Sequence, residues 1–438
     1  MKQKESFYAA RRARLIEEMG EGVALFPAAP VFIRNRDVEH DYRQDSDLYY
    51  LLGFDEPDCA LIVDSRGGEA KSIVFLRPKD KLRETWDGLR LGVEDAPSVL
   101  GVDEAYPIDE LPERLADYLE DAPQLLYALG KDSEFDAKVL NAIEEVRGRS
   151  RRKVSPPRAI VDPAHLLHEH RLIKGPEEVE RMRRAAEIST VAHIEAMKIA
   201  RPGLYEYQLE AELARHFRTL GAERPAYPSI VGSGPNATIL HHRKNDRLID
   251  AGDLILIDAG AEYDYYAADI TRTFPASGRF SDPQREVYEV VLRAQEAAIE
   301  AAVKDVTLDD VHLAATRILI EGMIELGILK GSVDEILAEG RHTAFYMHRT
   351  SHYLGMDVHD VGAYHQGKKP RKLEPGMVIT IEPGLYFAEG ADCDPRYQGI
   401  GIRIEDDVLI TADGNENLTA GTPKRIEELE EIVGSSSR

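Results

Sequence analysis

This chain of 438 residues is poor in the features that mark several other classes of protein. It has two cysteines, Cys59 and Cys393, too few for a disulfide framework, which favours a reducing, cytoplasmic location. Acidic residues outnumber basic ones by 79 to 55, and the net charge of −24 argues against nucleic acid or an anionic membrane as a partner. Apolar runs of ~20 residues, long enough to cross a bilayer, are absent, and the N-terminus lacks the apolar segment of a secretory signal. We therefore expect a soluble, cytoplasmic protein.

Two catalytic patterns are also missing. The glycine-containing loop from Val231 to Asn236 does not form a GxGxxG motif after a strand, which argues against dinucleotide binding. No GxSxG elbow occurs, and neither cysteine lies near a histidine motif, so serine or cysteine nucleophiles have no support.

The length of the chain predicts two domains, because one hydrophobic core rarely serves so many residues. We place them at residues 1–170 and 171–438, with a polar, basic and proline-bearing linker before the boundary. In the first domain, short apolar runs predict buried strands that alternate with helices at Phe7–Met19 and Leu111–Leu119. The predicted strands are Val23–Phe26, Leu48–Leu52, Ala60–Val63 and Ser72–Leu76. This domain is therefore expected to be α/β.

The second domain has its helical and strand patterns in separate blocks, which indicates an α+β fold. Helices are predicted from Gly175 onward and at Tyr205–Leu220, Pro283–Val303 and Leu308–Leu326, with Asp282 and Thr307 as N-caps. Strands are predicted at Leu254–Ala259, Ile270–Phe274, Met377–Ile381 and Ile400–Ile404.

Four carboxylates lie within these strands or directly at their ends: Asp258, Asp269, Glu382 and Glu405. A buried carboxylate without a partner costs several kcal/mol, so each acid in an apolar run needs a cation or a solvated strand end. Any one of them could be a salt-bridged acid, but Arg272 and Arg403 cannot neutralise all four. Two divalent cations would balance the four negative charges.

Histidines cluster in the same domain, at His348, His352 and His359 in one block and at His241–His242 in another. Single histidines are commonly ordinary surface or core residues, and we interpret His242 and His365 in this way. Carboxylates with one imidazole and no thiolate form a hard site that suits Mn²⁺ better than a structural Zn²⁺. Two such ions can generate a nucleophile from water at neutral pH.

The block from His348 to Asp360 resembles the signature shared by aminopeptidase P and proline dipeptidase. The resemblance extends, in the same order, to the segments around Asp258, Asp269, Glu382 and Glu405, and so covers nearly the whole second domain. The segment from Tyr42 to Phe54 is similar to the N-terminal domain of the same family. This resemblance implies a catalytic domain of the pita-bread type and an aminopeptidase that removes the residue preceding proline.

The resemblance also implies a role for each matching residue. Asp258 would bind one metal ion, Asp269 and Glu405 would bridge two, and His352 with Glu382 would complete the second. Glu382 would also take a proton from the nucleophile, and His359 would stabilise the oxyanion. Further residues are expected to contact the substrate or orient the acids, namely His241, His348, Tyr386 and Arg403.

The only tryptophan, Trp86, lies in a segment similar to one that reaches a neighbouring subunit's active site in the family. Trp86 is accordingly expected to contact substrate in a homodimer or homotetramer. The alternative is that Trp86 is an ordinary core or surface residue.

Three other functions share this fold. A proline dipeptidase would use the same ligands on Xaa-Pro, creatinase-like hydrolases work without metals, and inactive binding modules have lost their ligands. The five intact ligands argue against the last two.

Overall fold

In the computed structural model, residues 2–437 are described, without the side chains of residues 2–6, 150 and 437; Met1 and Arg438 lie outside the described residues. The chain divides into two compact units, unit 1, Met1–His170, and unit 2, Arg171–Arg438. Within the described part of the chain, no helix is both long and apolar enough to cross a membrane.

Unit 1 is built around a mixed six-stranded sheet in the order β6-β5-β4-β1-β7-β8. Its strands are β1 Val23–Pro27, β2 Ile33–Asn35, β3 Val38–Glu39, β4 Ala60–Asp64, β5 Lys71–Leu76, β6 Glu104–Pro107, β7 Leu125–Leu126 and β8 Ile160–Val161. Its helices are α1 Lys2–Met19, α2 Ser46–Leu52, α3 Lys81–Asp87, α4 Ala96–Leu100, α5 Leu111–Leu119 and α6 Ser133–Gly148, and α7 Ala164–Leu172 crosses the boundary. The apolar faces of α5 and α6 pack with the sheet in one core, so the predicted α/β class is confirmed.

One predicted strand of unit 1 is wrong. The run from Leu48 to Leu52 belongs to helix α2, whose N-terminus is capped by the Asp45 carboxylate through the backbone amides of Asp47 and Leu48. Gly53, in the left-handed conformation at φ 63°, ends the helix. All seven helical residues are buried, and a short run that is apolar all round cannot be assigned by periodicity.

Unit 2 places helices against several short antiparallel sheets, which confirms the α+β class. Its helices are α8 Pro176–Ile199, α9 Glu206–Thr219, α10 Asp282–Ala301, α11 Leu308–Glu325, α12 Val333–Glu339 and α13 Ile426–Ile432. Its strands are β9 Arg224–Pro225, β10 Ile230–Ser233, β11 Leu254–Asp258, β12 Ala261–Tyr263, β13 Tyr266–Ala267, β14 Thr271–Pro275, β15 His365–Gln366, β16 Lys369–Pro370, β17 Val378–Ile381, β18 Gly384–Phe387, β19 Ile400–Arg403, β20 Asp406–Ile410 and β21 Asn415–Asn417. Helix α11 begins after Thr307 as predicted, whereas the N-cap of α10 is Ser281 and not Asp282.

The sheets β10-β11-β14, β17-β20-β21 and β18-β19 carry the candidate acids. Strands β11 and β14 are antiparallel, with Asp258 opposite Thr271, so their connection returns Asp269 to the end of β11. That connection contains the hairpin β12-β13 rather than a simple turn. The core behind these strands is formed by the apolar faces of α8, α9, α10 and α11.

Close backbone packing at Gly260 makes the return of the chain possible. A Cβ atom built on Gly260 would lie 1.7 Å from the carbonyl oxygen of Ala268, directly before Asp269. Only a residue without a side chain therefore lets the two aspartate-bearing segments approach.

We predict that Gly260→Ala lowers the free energy of unfolding by about 3 kcal/mol, because the methyl group forces backbone apart in a packed region. Gly252→Ala is the matched control, since a Cβ there would meet no atom within 4 Å, and its effect should stay within about 0.5 kcal/mol. Urea unfolding of both variants measures the difference. Equal stabilities would show that the Gly260 contact relaxes without cost.

Candidate metal centre and active site

Nine of the predicted site residues line one cavity of about 830 Å³ in unit 2. They are His241, Asp258, Asp269, His348, His352, His359, Glu382, Arg403 and Glu405. Tyr386 is buried beside them, and its hydroxyl contacts both His348 and Arg403. Trp86 lies in unit 1 on α3, where 82% of it is exposed.

Strand ends hold the four acids in position. Asp258 is the last residue of β11, and Asp269 comes just before β14. The amide of Glu382, directly after β17, donates to the carbonyl of Thr350 (2.8 Å). The amide of Glu405, after β19, donates to the carbonyl of Thr271 (3.0 Å). Backbone hydrogen bonds thus fix the direction from which each carboxylate enters the cavity.

Three of these side chains form a compact group of possible metal ligands. One ligand atom from each of Asp269, His352 and Glu405 lies within 4.8 Å of the others. His352 Nε2 is 3.6 Å from both Asp269 Oδ2 and Glu382 Oε1. His352 Nδ1 lies 3.0 Å from the carbonyl of Tyr353, so the proton resides on Nδ1 and Nε2 faces the carboxylates. This tautomer is the one that a metal ligand requires.

The negative charge of the four acids is only partly balanced by the protein. Among the residues the structure describes, one permanent cation forms an ion pair with them: Arg403 Nη2 lies 2.5 Å from Asp258 Oδ2. Arg272 is not available, because its guanidinium binds Asp406 at 2.7 Å. Burial and neighbouring carboxylates raise the pKa of Asp258 and of Glu405, and burial raises the pKa of Glu382 to about 7. Such raised values are expected where a cation is needed, so the donor set fits divalent metal.

A chain of hydrogen bonds links Arg403 to His348. Arg403 Nη1 donates to the Tyr386 hydroxyl (3.0 Å), which lies 2.9 Å from His348 Nε2. His348 Nδ1 is 2.8 Å from the carbonyl of Arg349 and donates to it, so Nε2 accepts from Tyr386. Burial lowers the pKa of His348 to about 3, which keeps the imidazole neutral. Tyr386 therefore fixes both the tautomer and the ring position of His348.

The remaining histidines differ in their surroundings. The rings of His359 and His352 meet edge to face at 4.5 Å, and burial lowers the pKa of His359. His241 is exposed at the cavity rim. His242 is buried away from the cavity, with Nε2 3.0 Å from Glu206, as expected for an ordinary core histidine. His365, interpreted in the same way, instead lines the cavity.

Sequence reasoning missed three residues that support the acids. The Tyr227 hydroxyl lies 2.6 Å from Asp258 Oδ1 and also contacts Asp269, so it holds the two carboxylates together. Thr271 donates to Glu405 Oε2 (2.6 Å). The amide of Asp269 donates to the buried carboxylate of Asp407 (3.1 Å). Nothing local distinguishes Tyr227 among the 19 tyrosines, because its role depends on the fold.

Two family models match the chain. The model described as metallopeptidase family M24 matches residues 180–412, and that of the aminopeptidase P N-terminal domain matches residues 8–127. An Xaa-Pro aminopeptidase of Escherichia coli (strain K12) is 45% identical over 428 residues, which cover 97% of each chain.

Solved structures agree over the full length. Aminopeptidase PepP of Pseudomonas aeruginosa has a TM-score of 0.97 and 48% identity, with 99% of each chain covered. Zinc-substituted E. coli aminopeptidase P in complex with product has a TM-score of 0.96 and 44% identity, again with 99% of each chain covered.

The metal-free protein should become less stable as the pH rises. Although burial opposes it, the nearby carboxylates of Asp269 and Glu382 raise the pKa of His352 from 6.5 to about 9. The folded state therefore binds this proton more tightly than the unfolded state does. The resulting stability is present below the unfolded pKa and is lost as the pH rises through about 9.

Relative to His352→Gln, the metal-free wild type should lose about 2–3 kcal/mol of unfolding free energy between about pH 6.5 and about pH 9.5. Urea titrations in the presence of a chelator measure it. Parallel pH profiles for the two proteins would show that His352 is not charged in the folded state.

Proposed function

We propose that this chain, which belongs to metallopeptidase family M24, is an Xaa-Pro aminopeptidase that releases the N-terminal residue preceding proline. Likeness to Xaa-Pro aminopeptidases along almost the entire chain, including the N-terminal domain, favours this activity over a proline dipeptidase. The structural match confirms the predicted pita-bread fold. The observation that carries the chemistry is a set of four carboxylates, three buried and one, Glu382, partly exposed, that face His352 in one cavity.

We also propose that five residues hold two divalent metal ions, with Mn²⁺ the best suited. Asp258 would hold the first ion, Asp269 and Glu405 would be shared by both, and His352 with Glu382 would complete the second. The oxygen-rich donor set supports a hard cation. The raised pKa of Glu405 also supports the binding of a positively charged ion at this site. When bound, the two ions would polarise the scissile carbonyl and lower the pKa of water.

The protein's own groups perform the remaining steps. Glu382, whose pKa is about 7 without metal, takes a proton from the attacking water and passes it toward the leaving amine. His359 is neutral at physiological pH because burial lowers its pKa, and its N–H donates to the oxygen that becomes negative. A preorganised donor of this kind contributes about 3 kcal/mol.

Recognition of the substrate relies on shape and charge. His241 and His348 form walls beside the proline ring, whose nitrogen has no hydrogen to offer. Arg403 holds Asp258 and Tyr386 in place, and Tyr386 in turn holds His348. The acidic floor of the cavity attracts the free ammonium group of the peptide's first residue.

Metal content separates the bridging acids from His359. Asp269→Ala and Glu405→Ala should abolish activity and lower the bound metal, because each side chain contacts both ions. His359→Ala should lower kcat by about a hundredfold and retain the metal of the wild type. Mass spectrometry of dialysed protein measures the metal. Wild-type metal content in Glu405→Ala would show that Glu405 is not a metal ligand. Loss of metal from His359→Ala would show that His359 is one.

Substrate comparison tests the activity itself. With Mn²⁺, the enzyme should cleave Xaa-Pro-Yaa tripeptides that have a free N-terminus. Acetylation of the amine should abolish cleavage, and replacing proline with alanine should lower kcat/KM at least about a hundredfold, since the pocket selects the ring. Chromatography of the products reads out each reaction. Cleavage of Xaa-Pro with the tripeptide untouched would identify a proline dipeptidase, and equal cleavage of Xaa-Ala-Yaa a general aminopeptidase.

We further propose that the protein acts in the cytoplasm as a homo-oligomer, a dimer or tetramer, in which Trp86 reaches the active site of another subunit. Three large apolar side chains of one segment support the interface: Leu82, Trp86 and Leu89 are 73%, 82% and 90% exposed. Exposed apolar clusters commonly mark interfaces. The small number of cysteines, two in 438 residues, supports the location.

Leu82→Glu together with Leu89→Glu should shift the protein to monomer in light scattering, because both charges would be buried in the interface. Val191→Glu, at a residue that is 40% exposed in unit 2, is the control and should leave the molecular mass unchanged. A monomeric wild type would refute the oligomer.

A further inference from the structure

A buried ion cluster lies directly beside His359 in the chain. The carboxylate of Asp360 is bound by Lys174 Nζ at 2.9 Å and by Arg171 Nη2 at 2.7 Å. All three side chains are 3% exposed or less. The two cations lower the pKa of Asp360 in spite of its burial, so the acid is charged. The cluster therefore unites a full negative charge with two positive ones away from water.

The segment that carries His359 is irregular, and backbone hydrogen bonds join its first two residues to neighbouring strands: the amide of Leu354 donates to the carbonyl of Val378 (3.0 Å), and the carbonyl of Gly355 accepts from the amide of Ala267 (2.8 Å). Residues 354–360 contain neither helix nor strand, and the chain before them is held at Tyr353 by an isolated bridge to Ile379. The loop closes on itself through a hydrogen bond from the amide of Asp360 to the carbonyl of Tyr353 (2.9 Å). It also packs against the cluster, because a Cβ on Gly355 would lie 2.1 Å from Asp360 Oδ2.

Of the two cations, Arg171 lies near the end of helix α7 and Lys174 follows it in the connection between α7 and α8. Lys174 lies just before helix α8, and its amide donates to the carbonyl of Gly376 (2.8 Å), two residues before β17. The ion cluster thus ties the His359 loop to the start of α8 and, through it, to the strand that precedes Glu382.

We propose that Asp360, held by Lys174 and Arg171, is a positioning residue that sets the His359 imidazole against the reacting carbonyl. Asp360 does not touch the substrate and acts through its neighbour in the chain. The inference rests on the proposed function, since it assigns the same role to His359. A displacement of a catalytic group by about 1 Å can lower the rate about a hundredfold. Loss of the ion cluster should therefore lower kcat measurably.

A double-mutant cycle tests this role in the Mn²⁺-loaded, full-length protein. Asp360→Asn keeps the shape and removes the charge, and it should lower kcat on Xaa-Pro-Yaa about ten- to a hundredfold with bound metal unchanged. In the His359→Ala background, the same substitution should have almost no further effect, because its target is gone. An equal loss in both backgrounds, or a loss of metal, would show a general structural role and overturn the proposal.

The matched control is Asp357→Asn. Asp357 belongs to the same loop and binds the same Arg171 Nη2 at 2.6 Å, but its side chain is 36% exposed. Its kcat should stay within about threefold of the wild type, since exposed ion pairs contribute little. A loss as large as that of Asp360→Asn would mean that any change in the loop suffices, and would overturn the specific role of Asp360.

Lys174→Met serves as the second variant if Asp360→Asn does not fold, because Asp360 stays paired with Arg171. It should show a smaller kcat loss that is again absent in the His359→Ala background.

Hydrogen–deuterium exchange gives a readout that does not need activity. Amides of residues 354–360 should exchange faster in Asp360→Asn and not in Asp357→Asn. Unchanged exchange in Asp360→Asn would overturn the proposal that the ion cluster holds this loop. A wild-type protein that does not cleave Xaa-Pro-Yaa would contradict only the proposed function.

Discussion

Mutual repulsion among buried carboxylates is the constraint on which the rest of unit 2 depends. Four acids face one cavity. Among the described residues, Arg403 is the one permanent cation that forms an ion pair with any of them, and its partner is Asp258. Repulsion of this kind opposes folding unless the acids take up protons or a cation enters. The neighbouring backbone cannot relax to separate them, because strands β11 and β14 are paired residue by residue up to Asp258 and Thr271. The fold thus holds an arrangement of charge that becomes favourable when the acids take up protons or a cation binds.

Two other buried acids of the same unit differ from those of the cavity. Asp406 follows Glu405 directly and is fully buried, yet Arg272 and Lys424 lower its pKa. Asp360 is likewise buried and likewise has a lowered pKa beside its cations. Glu382 and Glu405 have raised pKa values instead, in the same unit. Burial alone therefore does not mark a metal site. The protein supplies Asp406 and Asp360 with cations of its own, whereas the acids of the cavity have only Arg403. Asp407, a buried acid outside the cavity lining that accepts from the amide of Asp269, also has a raised pKa.

Much of this could be predicted from the sequence, and what could not has a physical reason. Asp258 and Glu382 stand out because a carboxylate ending a β-branched run is costly, and family resemblance then places each acid in the same cavity. Tyr227 and Asp407 do not stand out, because their contacts to Asp269 arise from segments that meet only in the folded chain. The apolar run at residues 48–52 predicts a strand, because a short run buried on every side has no period, and only the Asp45 cap and Gly53 reveal the helix.

The two kinds of candidate catalytic side chain are held by different forces, and this explains where the ion cluster lies. The acids lie at the ends of strands, so backbone hydrogen bonds of the sheets fix them. His359 lies in a loop of seven residues without regular structure, which is hydrogen-bonded to neighbouring strands only at Leu354 and Gly355 among the backbone contacts described. A loop so close to charged groups cannot be anchored by an apolar side chain alone, since its backbone polar groups need partners. A buried carboxylate between two cations provides a strong anchor at one point of the loop, and its position directly after His359 places that anchor where an error in the ring position would cost the most.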